Sequence, residues 1–220
     1  MDPVLKEIRA HRKLELIAAA RDHRMAVAAI AYPLWYLQRW HFLPEGYFSA
    51  RSVRFYEQFI RRIYNVGMER AILERCRDEV LQARPSTVVE VGCGPGNALR
   101  ALAVPPVRLV GIDLSPFMLE AARRDNPMVQ LLHRDARNTG IEHGSVDLVF
   151  AMHLLGHVPH AVADEIVAEA ARVLRVGGRM VSVDHSWHRV PELAGRFERP
   201  GARKMLAGLQ TMSVWQRVEE

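Results

Sequence analysis

An α/β fold with a mainly parallel sheet flanked by helices follows from three features of this 220-residue chain. Val88, Val89 and Val91 form a short apolar run that ends in glycines at alternate positions, Gly92, Gly94 and Gly96. A good helix-forming run, Asn97 to Leu102, comes next. Further strand-like runs at 108–113, 128–133, 146–152 and 179–184 are separated by stretches of helical periodicity. Strand, glycine turn and helix start make one βα unit, and its repetition builds a parallel sheet.

The composition bounds the rest. At 49% hydrophobic and 25% charged residues, the chain matches an ordinary soluble globular protein with one sizeable core and an extension. Two cysteines, Cys76 and Cys93, provide no disulfide framework. Residues 1–15 are charged throughout, so no signal peptide and a cytoplasmic location are expected. The net charge of +5 and pI near 9.6 raise the question of nucleic acid. The arginines are scattered among acidic residues, which reads as a solvated basic surface.

Upstream of the glycine turn, residues 4–31 place Val4, Leu5, Ile8, Leu14, Ile17, Val27 and Ile30 at roughly helical spacing, and Pro33 should end or kink that helix. Residues 25–37 are almost wholly apolar but too few to span a bilayer. With Trp35, Tyr36 and Trp40 between Arg24 and Arg39, residues 24–43 suit a lid, a dimer contact or a membrane-surface segment. Pro44, Glu45 and Gly46 read as a turn. Helices are expected over 52–65, with Phe55, Phe59, Ile60, Ile63 and Tyr64 on one face, and over about 68–83. Residues 1–83 are thus expected to form a helical cap and 84–220 the core.

The glycine turn admits two ligands. A dinucleotide site wants G-x-G-x-x-G, with a pyrophosphate at the helix N-terminus. Here Asn97 stands where the third glycine of that pattern belongs. Glu90 brings a carboxylate that repels a pyrophosphate and suits a cation. Asp113 lies 21 residues beyond Gly92, the offset at which an acidic residue meets ribose hydroxyls.

The run from Glu90 through Gly96, E-x-G-x-G-x-G, resembles the first motif of the class I S-adenosylmethionine (SAM)-dependent methyltransferases of the ubiquinone/menaquinone and small-molecule type. Residues 87–184 carry further motifs in that family's order: R-L-V-G-I-D at 108–113, S-P-F-M-L-E-A-A-R at 115–123, R-D-A at 134–136 and E-A-A-R-V-L-R-V-G-G at 169–178. The resemblance implies a Rossmann-like fold with SAM as cofactor and S-adenosylhomocysteine as product. It implies cofactor contacts from Glu90, Gly92, Cys93, Gly94, Gly96, Asp113, Leu114, Met118 and Met152, and from Tyr64 of the cap. Asp135 would accept the adenine amino group's hydrogen bond, and the Ala136 amide would meet the ring.

For catalysis, L-L-G-H-V-P-H at 154–160 resembles a histidine-bearing run of sugar O-methyltransferases, with Gly156 replacing the first histidine. His157 is the candidate base, suited by titrating near neutrality. Asp184 and His160 are the further catalytic candidates, and His157 as a mere helix cap is the alternative. His153, His157 and His160 also suggest a metal, but Pro159 interrupts them and no acidic ligand stands beside them, so no metal is expected. The D/N-P-P-Y/F run of nucleic-acid amino-methyltransferases is absent after the fourth strand, where Ala151, Met152, His153 and Leu154 stand.

A small-molecule hydroxyl or amine acceptor is therefore expected. The alternatives are a phospholipid or quinone acceptor at a membrane surface, or a non-catalytic SAM-binding protein. Only 36 residues follow Asp184, and of these 211–218 alternate like a strand, so the sheet is expected to be abbreviated at that edge. An open edge there, or the apolar stretch 26–37, would support a homodimer.

Overall fold

A computed structural model of the chain describes residues 32–33, 35–36, 44–47, 49–58, 68–103, 106–188, 191, 197–205 and 208–218. The elements in chain order are β1 (Pro44–Tyr47), α1 (Ala50–Phe55), α2 (Met68–Ala83), β2 (Thr87–Val91), α3 (Asn97–Leu102), β3 (Arg108–Asp113), α4 (Pro116–Asp125) and β4 (Gln130–His133). Then follow β5 (Val146–Met152), a 3-10 turn (Leu155–His157), α5 (His160–Val173), β6 (Leu174–His185), β7 (Phe197–Met205) and β8 (Gln210–Arg217). The expected helices over 4–31 and the distal part of 52–65, with Phe59, Ile60, Ile63 and Tyr64, lie outside the described residues.

Seven strands form one sheet in the order β4-β3-β2-β5-β6-β8-β7. β2 pairs in parallel with both β3 and β5, so the strand order reverses around it. In such sheets the ligand crevice opens beyond the carboxyl ends of the strands at that reversal. Alternation along β2 sends Val89 and Val91 to one face, with Ile166, Val167 and Ala170 of α5. Val88 goes to the other, with Ile72, Cys76 and Val80 of α2. The helix that the sequence reading groups with the cap therefore packs on the sheet itself.

The abbreviated edge is overturned. β6 continues into an antiparallel pair with β8, and β7 adds a further strand beyond it. Pro200 and Gly201 break the period-2 pattern of 197–205 and hide the strand in the sequence. The structure absorbs them in a register shift between Glu198 and Gly201, which an edge strand tolerates. β8 is thus internal, and the edge carries Pro200, Arg203 and Lys204, features that discourage edge-to-edge pairing. The strand at 210–217 therefore does not present the open edge expected of it.

Three smaller expectations also shift. Gly177 and Gly178 do not end α5, which stops at Val173; Leu174 is fully buried and already pairs with Val146, and the glycines serve the irregularity that follows. Pro44, Glu45 and Gly46 enter strand β1, and Gly46 alone keeps a turn-like φ of +61°. β4 begins at Gln130, because Met128 points to solvent.

Candidate active site

The glycine turn between β2 and α3 forms one wall of a cleft at the reversal point. Gly92, Gly94 and Gly96 all have left-handed φ, of +69°, +51° and +81°, but each is glycine for a different further reason. A Cβ on Gly92 would meet Leu154 Cδ1 at 2.8 Å, and one on Gly96 would meet Asn126 Nδ2 at 2.4 Å. Gly94 has nothing within 4 Å of that position, so it presents bare backbone to open space. Gly92, Cys93 and Gly94 line the cleft, whereas Gly96 does not. Gly96 packs α3 against α4, a role distinct from the expected cofactor contact.

Asp113, at the end of β3, stands beside the turn. Its Oδ2 accepts from the Gly94 amide at 2.8 Å and its Oδ1 from the Ser115 amide at 2.7 Å. Burial pushes its carboxyl up to about 6, against the pull of those amide donors. Glu90 is 2% exposed and lines the same cleft. Burial, and then the neighbouring Asp113, raises its pKa well above the usual carboxylate range. Its Oε2 is buried with no hydrogen-bond partner among the described residues. Ser115 caps α4 by accepting from the Met118 amide, and Pro116 starts that helix, which brings Leu114 and Met118 to the cleft.

Asp135 and Ala136 line the far end. Asp135 is not an open acceptor: Arg137 Nη2 reaches its Oδ2 at 2.7 Å, and the Arg137 amide and Nε reach its Oδ1. Trp35, Tyr36, Tyr47 and Tyr56 also line the cleft. Tyr36 meets Trp35 edge-on at 5.7 Å and stacks near Tyr47 at 6.1 Å. The sequence reading takes Trp35 and Tyr36 only as lid, dimer-contact or membrane-surface residues, gives Tyr47 no role, and names Tyr64 as the cap's cofactor contact, which lies outside the described residues. The clustering of aromatics at 32–36 was the available signal.

The remaining wall follows β5. Met152, His153, Leu154 and His157 line it, and His153 holds a left-handed φ of +51°, uncommon outside glycine. His160 begins α5, is exposed and does not reach the cleft. Asp184 also lies behind the lining. It is buried, accepts from the Gly156 amide at 3.1 Å, and is pushed up to about 7 by that burial. His188 Nδ1 lies 4.0 Å from its Oδ1, and burial lowers that imidazole's pKa. Sequence reasoning missed His185 and His188, which join His153 and His157 in one cluster of rings.

With its open mouth, the cleft encloses about 1080 Å³. Two carboxylates among mostly apolar walls favour a cationic ligand and disfavour a pyrophosphate. SAM fits this donor set: Glu90 offers an unpartnered buried oxygen, Gly94 an open backbone approach, and the Asp113 oxygens spare lone pairs for hydroxyl donors.

Comparison with known proteins points the same way. Residues 88–178 match a family described as "Methyltransferase domain". The chain is 40% identical over 96 residues to a trans-aconitate 2-methyltransferase of Azoarcus sp. (strain BH72), covering 42% of this chain and 36% of that protein. It is 38% identical over 111 residues to a phosphatidylethanolamine N-methyltransferase of Cereibacter sphaeroides, covering 48% and 53%. The chain thus spans only about a third to a half of these relatives' lengths. Its fold is similar to that of the N-methyltransferase NodS of Bradyrhizobium japonicum WM9 in complex with S-adenosylhomocysteine, with a TM-score of 0.55 at 16% identity, covering 66% of this chain and 87% of that one.

Proposed function

We propose that this chain is a class I SAM-dependent methyltransferase that transfers a methyl group from SAM to a small-molecule hydroxyl or amine, a reading supported by the methyltransferase-domain match and by the methyltransferase relatives. One observation carries the reading. A single cleft gathers the glycine turn, the buried Glu90 and half-buried Asp113 carboxylates, the Asp135–Ala136 pair, Met152 and His157.

When bound, SAM supplies a methyl group on a sulfonium, already activated for in-line displacement. The protein's work is then alignment and proton handling. Asp113 accepts the ribose hydroxyls, while the Gly94 and Ser115 amides hold its carboxylate in place. Glu90 and Gly94 receive the cationic end, and Ala136 receives the adenine edge. Asp135 shares its oxygens with Arg137, so it contributes mainly by fixing that loop. His157 faces the reacting end and, for a hydroxyl acceptor, takes its proton. Asp184 holds the 3-10 turn that carries His157, through the Gly156 amide.

A phospholipid acceptor is the second reading, favoured by the likeness to the Cereibacter sphaeroides enzyme and by the aromatic stretch at 32–36. No helix among the described residues is long and apolar enough to cross a membrane. A homodimer through residues 26–37 is tested by sedimentation equilibrium, where a mass of 25.0 kDa overturns it.

Incubation with methyl-labelled SAM and a panel of hydroxyl, amine, carboxyl and phospholipid acceptors tests the main reading. Label on a hydroxyl or amine supports it; label on phosphatidylethanolamine vesicles alone selects the second reading. Cofactor binding without transfer to any acceptor makes the chain a SAM-binding protein.

A further inference from the structure

Behind the reacting wall of the cleft, two loops at the carboxyl ends of β5 and β6 bring together groups that the sequence separates widely. His157 comes from the 3-10 turn, Asp184 from the end of β6 and His188 from just beyond it. One nitrogen from each imidazole and one carboxylate oxygen all lie within 4.8 Å of one another. We propose that His157, Asp184 and His188 form a binding site for a late first-row divalent cation such as Zn²⁺. The proposal rests on the methyltransferase reading only for the meaning of the site's position.

Three observations carry it. Asp184 is a buried carboxylate, 8% exposed, that accepts from the Gly156 and Leu155 amides; no Lys or Arg pairs with it among the described residues. An anion in that position calls for a positive partner. His188 Nδ1 is buried and has no hydrogen-bond partner among the described residues. Its 4.0 Å separation from Asp184 Oδ1 is too long for a hydrogen bond. Two ligands each about 2.0–2.2 Å from one Zn²⁺ stand roughly 3.4 Å apart in a tetrahedral site, so the His188–Asp184 pair at 4.0 Å must close by about 0.6 Å and a pair at the 4.8 Å bound by about 1.4 Å, movements within the reach of side-chain rotation.

The third observation is the space made for His188. A Cβ on Gly156 would lie 1.8 Å from His188 Nδ1, so a bare backbone at 156 is what admits the imidazole. The His157 and His188 rings meet edge to face at 5.0 Å, which leaves both near the carboxylate.

Two imidazoles and one carboxylate suit Zn²⁺, Fe²⁺ or Co²⁺ far better than Mg²⁺ or Ca²⁺, which prefer all-oxygen sites. Three protein ligands leave coordination positions open, the arrangement of sites that take a further ligand. Because His157 also lines the cleft, a cation held here sits at the cleft's border, and it occupies the imidazole lone pair, so His157 acts as a base only in the cation-free chain. No acidic residue stands beside His153, His157 or His160 in the sequence, yet Asp184 supplies the carboxylate from 27 residues beyond His157.

The test is equilibrium dialysis of the untagged full chain against Zn²⁺, with Co²⁺ absorption spectra reporting coordination number. One equivalent should bind, with affinity falling at least tenfold in His188→Ala and in Asp184→Asn. His160→Ala removes only an exposed imidazole and should leave affinity unchanged. Gly156→Ala removes no ligand but should displace His188 and also weaken binding, so the proposal stays testable if Asp184→Asn fails to fold. Zn²⁺ affinity no higher in the native chain than in His188→Ala and Gly156→Ala overturns the site. Calorimetry with S-adenosylhomocysteine on the same samples separates the two claims: Zn²⁺ uptake without nucleoside binding keeps the metal site and sinks the cleft reading, and nucleoside binding without Zn²⁺ uptake does the opposite.

Discussion

The Asp113 carboxylate accepts a 2.8 Å hydrogen bond from the amide of Gly94, which locks the end of β3 to the glycine turn that follows β2. One side chain therefore shapes the turn and offers its remaining lone pairs to the ligand. Asp113→Ala should weaken SAM binding by about 1.5–3 kcal/mol, the range for hydrogen bonds to a charged group. Calorimetry measures it, with circular dichroism to check that the turn's loss leaves the fold intact.

The same carboxyl predicts a pH dependence. Its pKa stands at about 6, above the ordinary value of about 3.9. The ionised form is the better acceptor for ribose hydroxyls, so S-adenosylhomocysteine affinity should fall as pH drops from 7 to 5. Stability of the free protein should move the other way. A raised carboxyl contributes stability that is fully present below its unfolded pKa and lost as pH rises through about 6. Asp113→Asn should flatten the affinity profile, measured by calorimetry, and lessen the slope of the stability profile, measured by thermal unfolding between pH 5 and 7, where Asp184, raised to about 7, keeps its own contribution.

Gly94 and Gly96 should separate binding from folding. Alanine at either position meets the left-handed penalty of about 1–2 kcal/mol. Gly96→Ala adds overpacking against Asn126 and Ala122, worth about 1–3 kcal/mol more. Gly94→Ala has open space around its new methyl, so its further effect should fall on the ligand. Thermal unfolding should therefore rank Gly96→Ala as the less stable variant, and calorimetry should show the larger loss of specific SAM affinity in Gly94→Ala when both are measured well below their melting temperatures.

What was legible in the sequence was local or alternated cleanly. The turn at 92–96, the carboxylate closing 108–113 and the strand at 146–152 each announce themselves within a dozen residues, and they frame the cleft. The strand at 197–205 was not legible, because Pro200 and Gly201 break its pattern and only pairing with β8 rescues it. The engagement of Asp135 by Arg137 is a side-chain choice that no spacing rule anticipates. His188 was invisible as a partner of His157 because the two meet only when β5 and β6 lie side by side.

His157→Ala should lower turnover on a hydroxyl acceptor by roughly 10²-fold or more, with SAM affinity nearly unchanged, because a general base acts on the acceptor and not on the cofactor. Single-turnover kinetics with labelled SAM reads the chemical step directly. Undiminished turnover would return His157 to a structural role.

The central claim is that the cleft at the carboxyl ends of β2, β3 and β5 is a SAM site and not a dinucleotide site. Isothermal titration of the full chain with SAM, S-adenosylhomocysteine and NAD tests it most directly. One equivalent of SAM or S-adenosylhomocysteine should bind, weakened by Asp113→Ala, and NAD should produce no binding heat. Binding of NAD, with neither SAM nor S-adenosylhomocysteine bound, would contradict the account.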